Sequence, residues 1–345
     1  MPIDPIRKRL GSIAKISGKR RLTAWERLLL GKDVITYALG DLTWMATPQM
    51  SWPRWGVDAF VLQNKIWVVG GYHQDGSIAD IEVFDTATRL WTSIPYPFTY
   101  FGQAFVTTSN GLLYAIGGLE SCQSLVSPVE EYNPVTGLVT QKAAIPTPCY
   151  NPGIASTSNG KIYVMGGCQP PISNPGGPPS AVLDTVQIFN PQTNTWSVGT
   201  PLPSPRHQAS AVAAPDGKIY VMGGFDGHAE FNRVDVYTPQ TNSWQAATPM
   251  PTARRCFASA LASNGKIYAI GGLNGASSLT TVEAFTPASN AWKSCAPLAA
   301  GRWYLGVAAF GAKLYACGGF MRSGNYQPDN ANVSALAIVE EGTIQ

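Results

Sequence analysis

The sequence predicts an all-β fold, a six-bladed β-propeller whose last blade is closed by an N-terminal strand. Six Gly-Gly pairs carry this reading: Gly70-Gly71, Gly117-Gly118, Gly166-Gly167, Gly223-Gly224, Gly271-Gly272 and Gly318-Gly319. Each ends a short apolar run, and the first glycines lie 47, 49, 57, 48 and 47 residues apart. A strand-like core recurring about every fifty residues is the spacing of a propeller blade. Aromatic residues (Phe84, Tyr132, Phe189, Tyr237, Phe285) and tryptophans (Trp91, Trp196, Trp244, Trp292) recur with the same period, as rings packed between neighbouring sheets would. Composition agrees, because 13% charged residues with 35 Gly and 27 Pro suit short strands and tight turns.

The fifth repeat shows the unit most plainly. It predicts strands over Phe257 to Ala262, Lys266 to Gly271, Thr281 to Thr286 and around Trp292. Asn110-Gly111, Asn159-Gly160, Asp216-Gly217 and Asn264-Gly265 supply the positive φ angles that a tight hairpin needs between first and second strands. A second turn, Asn133-Pro134, Asn190-Pro191, Thr238-Pro239 or Thr286-Pro287, joins third to fourth. The last repeat has only Val333 to Val339 left as a third strand, and Thr43 to Pro48 reads like the fourth strand Ser243 to Pro249. The N-terminal strand is therefore expected to complete the sixth blade and remove its open edge. The expected domains are a basic, flexible extension over 1–40, the propeller over 41–339, and a tail over 340–345.

Nine Lys or Arg and three Asp or Glu fall in residues 1–40, against fifteen and eighteen in the rest. This arm is expected to be solvated, with contact to an anionic partner or organelle targeting as alternatives. No run of eighteen apolar residues occurs, so a spanning helix is not expected, and the chain is read as soluble and intracellular. The six cysteines include no C-x-x-C pair, which argues against a zinc or redox motif, and Cys317 reads as a small buried hydrophobe.

Gly-Gly after an apolar strand, an aromatic about thirteen residues on, then Pro-x-Thr-Asn-x-Trp, resembles the kelch repeat, whose family folds as a β-propeller. The likeness covers roughly residues 41 to 339. The second repeat departs from it at Leu138, where Trp is expected, and the third carries a Pro/Gly-rich insert from Cys168 to Ser180. Only about forty residues stand before the propeller, so no dimerisation or ligase-recruiting domain is expected there, which puts the ubiquitin-adaptor role of the resemblance in doubt.

Function is expected on loops held by the rigid blades, on the face shared by the second-to-third-strand and fourth-to-first-strand connections. Sixteen residues before the first glycines stand Arg54, Arg255 and Arg302, and Arg206 matches after a one-residue shift. Around these come Tyr72, His73, Tyr150, Asp226, His228, Asn274, Trp303 and Arg322 as ligand-binding candidates. A ring of guanidiniums suits carboxylates or phosphates, since Arg offers planar bidentate donors. In kelch-like adaptors, arginines at this strand start help bind acidic peptides, which the resemblance carries to Arg54, Arg255, Arg302 and Arg206. The competing reading is an ion pair with a loop carboxylate of the neighbouring blade.

The expected function is thus a non-catalytic recognition module for a protein or acidic peptide, with no catalytic residue, no cofactor and no metal. Copper oxidases of the family need two His and two Tyr at the axis, whereas His73, His207 and His228 lie in separate loops. The alternative is a sugar-acting enzyme resembling the sialic acid mutarotases, with Glu120 or Asp226 beside an Arg as proton donor and acceptor.

Overall fold

The computed structural model describes residues 37–39, 42–73, 76–77, 80–100, 102–121, 124–169, 179–322 and 333–344. The basic segment 1–36 and most of the third-repeat insert lie outside the described residues. Thr36–Gln345 forms one compact unit, in which the described residues make six antiparallel blade sheets and four two-stranded ribbons. The fifth sheet, Ala258–Leu261, Ile267–Ile270, Val282–Thr286 and Ala291–Cys295, shows the pattern of the first five blades, with strands in sequence order. The innermost strands pack side by side around the axis, and Gly306–Phe310 of the sixth blade meets Trp55–Leu62 of the first.

The closing strand is where the sequence placed it. Leu42–Ala46 pairs antiparallel with Val339–Ile344, with Leu42 opposite Ile344 and Ala46 opposite Glu340. The preceding boundary differs from expectation. The third strand of the sixth blade is Val339–Ile344, so 340–344 are core strand rather than tail. Val333–Ala335 instead pairs with Phe320–Arg322 as a two-stranded ribbon rising from the loop face. At the other end Tyr37–Leu39, expected in the extension, adds a fifth strand against Leu42–Trp44.

Neighbouring blades are held by clamps that the Asn-x-Trp motif supplies. Trp244 donates its indole N–H to Thr200 O at 2.8 Å, while Asn242 Oδ1 accepts the Thr200 N–H at 2.7 Å. Trp196 with Asn194 grips Ala143 in the same way, and Trp292 with Asn290 grips Thr248. The three asparagines have φ between 50° and 54°, a left-handed conformation that Asn tolerates better than most residues. In the second blade Leu138 provides no such clamp. There Trp67, Tyr96, Phe98, Phe105 and Tyr132 form an aromatic cluster between the first two sheets.

The Gly-Gly pairs have a double cause. Every one of the twelve glycines has positive φ. In the fourth, fifth and sixth blades a Cβ on the first glycine would also stand 2.5 or 2.6 Å from a backbone carbonyl of the next blade, that of Arg254, Arg302 or Arg54. The second glycine donates its N–H to that same carbonyl, as Gly272 does to Arg302 O at 2.8 Å. Gly271→Ala is therefore expected to destabilise by more than the ~1 kcal/mol of an ordinary glycine replacement, because strained φ and a backbone clash act together. Thermal melting of the purified variant checks this.

Candidate functional site

The arginines of the predicted ring are blade struts. Arg54, Arg206 and Arg302 are fully buried, and the fourth member is Arg254, not Arg255. Each guanidinium bonds a carboxylate on the third strand of its own blade. Arg54 Nη2 reaches Asp80 and Glu82 at 2.8 Å, Arg206 Nη2 reaches Asp235 at 2.5 Å, Arg254 Nη2 reaches Glu283 at 2.6 Å, and Arg302 pairs with Glu340. In Arg54, Arg254 and Arg302, Nη1 donates to the carbonyl of the first glycine. The expectation of guanidiniums open at the channel mouth fails for Arg54, Arg206 and Arg302. A charge this deep needs its partner, and the partner leaves no surface for a ligand.

The miscount for Arg255 has a simple cause. The first hairpin turns through two residues, Gln63 and Asn64, and the last through Gly311 and Ala312. The four middle blades carry one residue more, so counting sixteen back slips by one position. The strut pattern also reads out the departures. Glu130 of the second blade has no arginine and is held by the Thr99 N–H and hydroxyl and the Gln103 and Gln141 amides. In the third blade Cys149 stands in the arginine place, and the carboxylate is replaced by neutral Gln187.

Two residues beyond each strut position stand Gly56, Gly102, Asn151, Gln208, Cys256 and Tyr304, all with φ between 51° and 67°. Their backbones form a chain around the mouth, with Gly56 N bonding Tyr304 O, Tyr304 N bonding Cys256 O, Cys256 N bonding Gln208 O, and Gln208 N bonding Asn151 O, at 2.7 to 3.1 Å. They frame a cavity of ≈ 150 Å³ that Trp55, Tyr72, Gln103 and Tyr150 also line. The Tyr304 hydroxyl accepts from Gln208 Nε2 at 2.6 Å and from Asn151 Nδ2 at 3.3 Å. Burial pushes the Tyr304 and Tyr150 phenols up, and the Cys256 thiol to about 12.

Arg255 lies one residue outside the strut and faces differently. It is 24% exposed, its guanidinium sits 4.2 Å from the Phe225 ring centroid, and its Nε is 3.4 Å from Glu230. With Gln208, Cys256, Leu273, Gly275, Ala276 and Trp303 it lines a groove of ≈ 330 Å³. The buried Arg255 Nε, Trp303 Nε1 and Gln208 Oε1 have no hydrogen-bond partner among the described residues.

The other candidates spread over this face. Tyr72 stacks on Trp55 at 5.1 Å and lines the mouth with Tyr150. His73 meets the Trp52 ring edge-on at 5.9 Å. Asp226 Oδ1 accepts the amides of His228 and Ala229, each at 2.8 Å, which holds its carboxyl below the usual range and commits it to a turn. His228 is exposed beside it. Asn274 donates to Ala253 O at 2.9 Å, and Arg322 ends a ribbon strand opposite Val333. Among the described residues no three His, Cys, Asp or Glu side chains are placed to hold a metal ion, and no helix is long and apolar enough to cross a membrane.

One acidic residue was missed by the count. Asp58 stands two residues beyond Gly56, where the other blades have Ala104, Gly153, Ser210, Ala258 and Gly306. Aligning the blades on the left-handed position makes it the one charged residue of that column.

Relatives share the repeat rather than a whole architecture. Residues 102–319 match the KLHDC2/KLHL20/DRC7 Kelch-repeats domain, and 56–97 match the Kelch motif. The chain is 26% identical to Kelch-like protein 35 of Mus musculus over 201 residues, which are 58% of this chain and 32% of that protein. It is 28% identical to Kelch repeat and BTB domain-containing protein 12 of Homo sapiens over 222 residues, 59% of this chain and 32% of the relative. Alpha-scruin of Limulus polyphemus is 29% identical over 202 residues, 56% of this chain and 21% of that protein. The match thus spans a third or less of these relatives. With the six glycine-ended blades, the Asn-x-Trp clamps and a domain match over most of the propeller in agreement, the chain belongs to the kelch-repeat family.

Proposed function

We propose that the propeller is a non-catalytic recognition module that binds a protein partner on its ribbon-bearing loop face, with an acidic segment of that partner seated against Arg255. The observation that carries this is the placement of Arg255. It is the candidate ring arginine left partly open, and it is held over Phe225 on the wall of a groove where the Trp303 indole N–H is a donor without a partner among the described residues. A guanidinium held in place before binding recognises a carboxylate at a lower ordering cost. The kelch-like names of the relatives are consistent with a domain that works by docking.

The test is capture on an array of immobilised peptides graded in Asp and Glu content. Acidic peptides are expected to be retained, and Arg255→Ala is expected to weaken the best of them about tenfold or more, the scale of a lost charged contact. The melting temperature should stay unchanged. Retention that does not depend on peptide charge, or that survives Arg255→Ala, removes the acidic segment from the reading.

A further inference from the structure

We propose that the mouth of the central channel is a binding site for an alkylammonium group, with Asp58 as its counter-charge. The first strand of each blade lines the channel, and its wall is built from small and apolar residues such as Ala104, Ile154, Ala209, Ala258 and Leu305. Among the described residues, Asp58 is the one carboxylate lining either the mouth cavity or the ≈ 430 Å³ chamber beneath it, and no Lys, Arg or His lines either space. Its Oδ2 accepts a single long hydrogen bond of 3.3 Å from the Phe105 N–H. One backbone amide leaves most of a carboxylate's acceptor capacity unused.

The surroundings suit a cation rather than an anion. Trp55, Tyr72, Tyr150 and Tyr304 line the cavity above Asp58, with Trp55 5.1 Å from Tyr72 and 5.8 Å from Tyr304 between ring centroids. Aromatic faces around a carboxylate attract an ammonium by cation–π and charge together, and the effect grows where water is scarce. An anion would meet Asp58 with no positive side chain to offset it. The size of the cavity, ≈ 150 Å³, limits the occupant to a small headgroup or the end of one extended side chain.

Burial supports the same assignment. Desolvation pushes the Asp58 carboxyl up to about 7, so near neutral pH it is only partly ionised, and a bound cation would favour the ionised form. The ionisable groups facing it are Tyr72, Tyr96, Tyr150, Cys256 and Tyr304, and burial pushes the last four upward, which keeps them neutral when Asp58 ionises. A cation binds the ionised form, so affinity should rise with pH through about 7.

The experiment uses n-butylammonium as the charged probe and n-pentanol as a neutral probe of similar shape, read by ligand-observed NMR saturation transfer and by tryptophan fluorescence. Butylammonium is expected to bind, pentanol to bind at least about tenfold more weakly, and the butylammonium affinity to fall about tenfold between about pH 8 and pH 5.5 as Asp58 takes its proton. Asp58→Asn, which keeps an oxygen for the Phe105 N–H, is expected to abolish the difference between the two probes. Equal binding of both probes to the unaltered protein, a flat pH profile, or no butylammonium binding at about pH 8 overturns the assignment. The two-probe comparison needs no variant, so it stands even if the Asn variant folds poorly. Butylammonium arms with Arg255→Ala should be unchanged, which separates this site from the acidic-segment groove.

Discussion

Arg302→Ala is expected to cost about 3–5 kcal/mol of stability, the usual result of leaving one member of a buried ion pair alone. Arg302 is fully buried, and its loss leaves Glu340, also buried, with only the Ala299 N–H among the polar contacts described for it. It also frees the Gly318 and Ile338 carbonyls, both of which accept from Arg302 Nη1. Arg255→Ala, by contrast, is expected to change stability by no more than about 1 kcal/mol, because a partly exposed pair with Glu230 gains little in water. Urea unfolding of the two variants side by side reads the difference.

The pair Arg302→Met with Glu340→Leu should recover most of the loss, since apolar replacement of a whole buried pair is often neutral. Burial already raises the Glu340 carboxyl, and without Arg302 it rises further above its unfolded value. The folded variant then binds the extra proton, so its deficit should be largest in neutral and alkaline buffer and shrink in mild acid. A variant as stable as the unaltered protein would refute the strut. By the same physics, replacing Arg54, Arg255 and Arg302 together would lose the fold rather than report on binding, because two of the three hold the blades that display the third.

The repeat could be read from the sequence because its causes are local. A Gly-Gly pair is needed wherever φ is positive and the next blade's carbonyl comes close, and Asn-x-Trp is needed wherever one turn grips the preceding blade. Both leave residue types at fixed spacing. The direction of a side chain is not local in this sense. Arg254 and Arg255 are adjacent and chemically identical, yet one is a buried strut and the other lines a groove, because successive residues of the connection leading into the strand present their side chains to different sides. One extra hairpin residue in the middle blades was enough to exchange them.

The carboxylates of the struts show a second limit. Glu82, Asp235, Glu283 and Glu340 occupy one column on the third strands, but their distance in sequence from the arginines runs from 28 to 38 residues. The length of the second-to-third-strand loop within each blade hides the pairing. Asp58 was obscured differently, being conspicuous only once its five counterparts are known to be Ala, Gly or Ser. Its chemistry depends on the channel, which no single blade contains.

Truncation of residues 1–48 is expected to unfold the propeller at ordinary temperature, whereas truncation of 1–36 should leave its melting temperature unchanged. The longer cut removes Leu42 and Trp44, which are 0% and 1% exposed. Losing a buried Trp alone costs about 3–5 kcal/mol, and a whole domain holds only about 5–15. It removes the Trp44 indole bond to Ala296 O at 2.8 Å, which ties the fifth blade to the sixth. It also removes Pro48 O and the Thr47 hydroxyl, which accept from Trp91 and Arg89 and tie the sixth blade to the first. Gly342 then lies bare where the Trp44 ring covers it, and Val339–Ile344 becomes an open edge able to pair with another chain. The longer truncation should therefore aggregate as well as melt early, which light scattering during the thermal scan reports. Supplying residues 37–50 as a separate peptide should restore part of the lost stability in proportion to its concentration, as a ligand that binds only the folded state does. If both truncations melt together, the ring is closed by the chain's other end, and the pairing of Leu42–Ala46 is incidental.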